Sequence, residues 1–168
     1  MKSSRLKNIW RGFYLKVVRG DGSPEYIARG WSLGVFVGCV VPVFCQLYVA
    51  VPLSFLLKAS KFGAIAGTFI TTPPTAIVIY PIQIWLGDRL IGGNLTFAGI
   101  EDATVQMLTH GNFKAFSALG REMIAAFFAA GLLWGVVMAP AVYFLVRLMV
   151  TRYRAFREKR KKSRNMAK

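Results

Sequence analysis

Three long runs without a charged residue, 30–57, 62–87 and 123–146, dominate the hydrophobic pattern of this chain. An α-helix rises ~1.5 Å per residue, so about 20 apolar residues cover the hydrocarbon of a bilayer. Each run exceeds that length, and soluble core helices rarely stay uncharged for so long. The pattern predicts an all-α fold, a polytopic helical membrane protein. It divides into a basic amphipathic segment over 1–22, a membrane domain over 23–148 with a polar connection at 88–122, and a basic tail over 149–168.

Ser23-Pro24-Glu25 has the chemistry of a helix start: a capping hydroxyl, proline where its missing N–H costs nothing, and an acid at the positive end of the dipole. The first helix is predicted over 24–40. Along it Gly30, Gly34 and Gly38 recur every fourth residue, a smooth stripe against which another helix of the same or a neighbouring chain can pack. Gly63 and Gly67 repeat the device. Shifting the chain by 29 residues lays Gly34 on Gly63, Gly38 on Gly67, Pro52 on Pro81 and Arg29 on Lys58, consistent with an internal repeat.

Two runs carry proline near their midpoints, at Pro42 and within Thr71-Thr72-Pro73-Pro74-Thr75. Proline removes a backbone donor and frees a carbonyl upstream, and hydrocarbon offers no water to satisfy it. Helices broken or re-entrant at these points are therefore expected to face protein or a wet cavity. Thr71, Thr72 and Thr75 can partner freed carbonyls in the second run and Gln46 can do so in the first, while a helix restarting at Pro74 would direct free N–H groups inward. Pro52, Pro81 and Pro140 stand alone and read as kinks.

Charge sets the orientation. The chain is 55% hydrophobic and 17% charged, yet its net charge is +15. The excess lies in the tails: six cations and no acid over 1–20, ten cations against Glu158 over 147–168. Basic residues flanking spans mark the cytoplasmic side, which puts both termini there and makes the basic tails a lipid and topology signal rather than a nucleic-acid interface. Residues 8–18 interleave Trp10, Phe13, Tyr14 and Val17 with Arg11 and Lys16, as in a helix lying among headgroups. Three full crossings would leave the tail outside, so one run is expected to be re-entrant. The stronger break favours 62–87, with 30–57 nearly equal.

Ser23-Pro24, Ile27-Ala28-x-Gly30, Gly34-Val35-Phe36, Pro42-x-x-Cys45-Gln46, Gly67-Thr68 and Pro73-x-Thr75 occur in an order that resembles the bacterial membrane family called domain of unknown function 2062. The likeness spans residues 14–89 and the last hydrophobic helix. It departs at Cys45, where the family has Gly, and at Thr72, where it has Asn. The resemblance implies a multi-pass protein of the bacterial inner membrane and brings no activity with it.

The chemistry of an enzyme is missing. His110 is the one histidine, Glu101-Asp102 the one adjacent acid pair, and neither is part of a metal, cofactor or nucleophile motif. No acid lies within the three runs, which disfavours a carboxylate proton relay. Hydroxyls, an amide, exposed backbone and the interfacial cations Arg29, Lys58, Lys61 and Arg89 remain, a set suited to an anion. The sequence therefore implies transport or translocation of an anionic small molecule or lipid, with Pro42, Gln46, Thr71, Thr72, Pro73, Pro74, Thr75, Arg29 and Arg89 as candidate binding residues. The alternative is a scaffold assembling through its GxxxG faces and basic tails. Partners implied are membrane lipid, with anionic headgroups at the tails, and further copies of the chain.

Overall fold

A computed structural model describes residues 22–69, 71–110 and 120–166. Among them the chain forms six α-helices and no strand: α1 (Pro24–Val40), α2 (Gln46–Leu56), α3 (Lys61–Thr68), α4 (Pro73–Ile91), α5 (Phe97–His110) and α6 (Gly120–Met166). The amphipathic segment at 8–18 lies outside the described residues.

Local chemistry sets the ends. The Tyr26 amide donates to Ser23 Oγ at 3.1 Å, capping α1. Val41 precedes Pro42 and is extended (φ −106, ψ 135), and Thr72 precedes Pro73 and is likewise extended (φ −92, ψ 161). In both places the proline ring disfavours the helical conformation of the residue before it, so α1 stops at Val40 and no helix runs through Thr72 into α4. Gly92, at φ 77 in the left-handed region, closes α4.

These breaks change the length argument. Two of the three uncharged runs become pairs of shorter helices, and α2 and α3 rise only ~16 and ~12 Å. Among the described residues one helix, over Gly120–Arg160, is long and apolar enough to cross a membrane by itself. Pro140 lies inside α6 without interrupting it, and α6 runs on through the basic tail to Met166 with no boundary near 148.

The spine is α6, against which α1 runs antiparallel. Arg147 meets Glu25 at 3.1 Å, Ser32 Oγ donates to the Ala139 carbonyl at 2.8 Å, and Gly131 lies against the Cys39 carbonyl. Ile27, Ala28 and Trp31 of α1 and Val146 and Val150 of α6 form one buried cluster. Beyond the end of α1, α4 and α5 cover the rest of α6 around Tyr80, Ile84, Ile100, Met123 and Phe127. There Gly87 abuts the Ala126 backbone.

The glycine stripes pack on each other. A side chain at Gly30 would meet Ser60, one at Gly34 would meet Ala64 and Gly67, and one at Gly67 would stand 2.7 Å from the Trp31 carbonyl. α1 and α3 are therefore parallel and close, with α2 returning between them. The Ser60 amide donates to the Tyr26 carbonyl at 3.1 Å, tying the far end of that return to the start of α1. Both units have the order helix, proline break, helix, but 17 and 11 residues in the first face 8 and 19 in the second.

Candidate functional site

The two breaks meet. Gln46 and Thr71, each 3% exposed, are joined through Gln46 Nε2 donating to Thr71 Oγ1 at 2.9 Å. Pro42 lacks the N–H that would have bonded the Gly38 carbonyl four residues back. That carbonyl instead accepts Gln46 Nε2 at 3.1 Å and Thr71 Oγ1 at 3.0 Å. Gln46 Nε2 also lies 2.9 Å from the Val41 carbonyl, so its two hydrogens are spread over three acceptors. The Thr68 carbonyl, left open where α3 stops, accepts the Thr71 amide at 3.1 Å. The second break thus supplies a hydroxyl to the carbonyl freed at the first, and Gln46 of the first bonds that same hydroxyl.

Thr72 and Thr75 form a separate, exposed pair at the start of α4. The Thr72 amide donates to Thr75 Oγ1 at 2.8 Å, and Thr75 Oγ1 lies 3.0 Å from the Thr72 carbonyl. This is a capping box, in which the Thr75 amide is also taken by the Thr72 side chain. α4 begins at Pro73, one residue before the expected restart, and Pro73 and Pro74 carry no N–H at all. The Ala76 amide already donates to the Thr72 carbonyl at 2.7 Å. The first turn of α4 therefore has no free donor for an anion, contrary to the expectation of inward N–H groups.

A further amide does the same work one layer out. Gln83, 3% exposed, donates from Nε2 to the Cys39 carbonyl at 3.0 Å and the Phe127 carbonyl at 3.1 Å, pinning α1, α4 and α6 together. It was absent from the sequence-derived set. The signal available was the one that marked Gln46, an isolated amide within an apolar run. Beside it Tyr80 is wholly buried, its hydroxyl without a hydrogen-bond partner, and its ring stands edge-on to Phe127 at 5.1 Å.

Against this joint lies a partly open groove of about 280 Å³. Val35, Cys39, Ile79, Ile82, Trp134 and Met138 line it, with Thr71 and Gln83 at its polar edge. Its walls are almost wholly apolar, and Ile82, Trp134 and Met138 continue onto an exposed apolar exterior that includes Val78.

The cations are not part of the joint. Arg29 lies nine residues before Gly38 on α1, ~14 Å down the axis. Arg89 follows Gly87, level with Ala126, and Ala126 is ~31 Å from Arg147 along α6. Arg89 stacks over Trp85 at 5.7 Å. Arg29 and Arg89 thus sit near opposite ends of the molecule and cannot grip one small anion together. Asp88, next to Arg89, is wholly buried and accepts the Leu95 amide on Oδ2 at 3.0 Å. Glu101 and Asp102 are exposed on α5, and no group of three metal-ligating residues occurs among the described residues. The side chain of His110 lies outside what is described.

A family model described as an uncharacterized protein conserved in bacteria, DUF2062, matches residues 7–159. The chain belongs to this family. No curated protein and no solved structure matches it. Membership of the DUF2062 family covers nearly the whole chain, including both breaks, Gln83 and the groove.

Proposed function

We propose that this DUF2062 protein is a non-catalytic, multi-pass protein of the bacterial inner membrane that moves lipid, taking a hydrocarbon chain into the groove beside the joint of its broken helices. The observation that carries this reading is the groove itself: apolar, open to an apolar exterior, and held in shape by Gln83 and the Gln46–Thr71 pair. The polar groups of the joint are spent on carbonyls, so a small free anion finds no donors there, whereas an acyl chain needs none.

Exposed apolar side chains such as Tyr48 (82%) and Leu56 (77%) on α2, with Val136 and Val137 on α6, support a lipid environment. One end of the molecule gathers Arg29, Lys58, Lys61, Arg147 and Arg154, which supports a cytoplasmic assignment for that end and for both basic tails. α1 and α2 then form a hairpin entering and leaving on that side, α3 and α4 together cross, and α6 crosses back. On this reading the re-entrant run is 30–57, not 62–87. The scaffold alternative loses its main support, because the GxxxG faces fill one another within the chain.

Reconstitution in vesicles tests the proposal. Labelled phospholipid should exchange leaflets faster with the protein than in empty vesicles, and Ile82→Trp or Met138→Trp, filling the groove from its exposed side, should slow that exchange. No acceleration for any lipid in a broad panel overturns translocation.

A further inference from the structure

We propose that the end of the molecule bearing Arg29 holds a built site for one anionic phospholipid, with its phosphate on Arg29 and an acyl chain laid along the α1 face above. This inference rests on the membrane placement proposed above, not on translocation, and the site is separate from the groove at the joint. A cavity of about 360 Å³ is lined by Arg29, Ser32, Leu33, Phe36, Leu57 and Ala139. Arg29, Leu33 and Phe36 share one face of α1, so the apolar walls begin ~6 Å and reach ~10 Å along the axis from the backbone of Arg29. That is the layout of a headgroup and the first part of its chain.

The charge around the cavity favours an anion. Glu25, the acid nearest in sequence, is engaged by Arg147 at 3.1 Å, the one ion pair among the described residues. Arg29 has only a long contact from Nε to the Glu25 carbonyl at 3.4 Å and is exposed, leaving the rest of its guanidinium fork for a phosphate. Lys58 sits in the turn beside Ala59, which also borders the cavity, at a φ of 46. Lys61 follows, its ammonium 3.9 Å above the Phe55 ring. Arg29 in the lining, with Lys58 and Lys61 close by in sequence to its borders Leu57 and Ala59 and none of the three in an ion pair among the described residues, favours an anionic lipid over a zwitterionic one.

The full-length protein, purified in detergent and titrated with phosphatidylglycerol or phosphatidylcholine, is read by native mass spectrometry. Wild type should retain phosphatidylglycerol preferentially. Arg29→Gln should cut that preference roughly fivefold, the effect of removing one cation near an anionic lipid. Arg29→Lys should restore part of it, Leu57→Gln should weaken retention of both lipids, and Arg160→Gln in the tail should change neither. Equal retention of the two lipids by wild type, or an unchanged preference in Arg29→Gln, overturns the site. So does displacement of the lipid by inorganic phosphate alone, which would mean that the chain contributes nothing. Alkaline carbonate extraction checks the membrane placement separately: release from membranes overturns both readings, whereas firm retention with an unchanged Arg29→Gln preference overturns the site alone.

Discussion

Gln46 Nε2 stands 2.9 Å from Thr71 Oγ1, and both groups reach the Gly38 carbonyl that Pro42 leaves without its helical partner. The two proline breaks are therefore joined in one hydrogen-bonded unit, in which Thr71 of the second break helps to satisfy the carbonyl freed at the first.

Removing either partner should show this. Gln46→Leu strands the Val41 carbonyl and leaves the Gly38 carbonyl with Thr71 Oγ1 alone, and an unsatisfied buried polar group costs about 1–3 kcal/mol. Thr71→Val should cost a similar amount. Because the two side chains bond each other and share the Gly38 carbonyl, the loss in the double variant should differ from the sum of the two single losses. Additive losses in thermal unfolding of the purified protein would mean that the two breaks are independent.

The Gly34 contact predicts a packing defect. A side chain there meets Ala64 and Gly67 of α3, so Gly34→Ala should destabilise by about 1–3 kcal/mol and Gly34→Leu by more. The oligomeric state should not change, since the facing helix belongs to the same chain. Altered size without altered melting would place the stripe at a contact between chains.

Topology is tested by single cysteines at Ser3, Ser163 and Leu57 in a background lacking Cys39 and Cys45. All three should be shielded in intact cells from a membrane-impermeant thiol reagent and react once the membrane is opened. Labelling of position 57 in intact cells would return the re-entrant role to the second apolar run.

Glu25 ties the start of α1 to α6, and its own backbone N–H, followed by Arg147, holds its carboxyl below the ordinary value. A depressed folded value means that the contribution is present at neutral pH and is lost as pH falls through the folded value. Glu25→Gln should therefore melt lower than wild type at pH 7, with the gap closing in acid. A gap that persists at low pH would show that the pair acts through packing rather than charge.

Much of this was legible in the residues. The start of α1 at Pro24 followed from a hydroxyl, a proline and an acid in order, and its end near Val40 from a proline two residues on. The breaks at Pro42 and Pro73, and Gln46 and Thr71 as their polar partners, followed from the rule that hydrocarbon supplies no hydrogen bonds. These are local consequences of backbone chemistry, so sequence alone determined them. Only the tertiary structure decided which groups meet. It brought Gly34 against Gly67 through the return of α2, set Gln83 between Cys39 and Phe127, buried Asp88, and separated Arg29 from Arg89 by placing them towards opposite ends of the molecule. Such pairings depend on helix length and crossing, which are settled by close packing between segments far apart in the chain. A one-dimensional pattern of apolar and polar positions does not encode them.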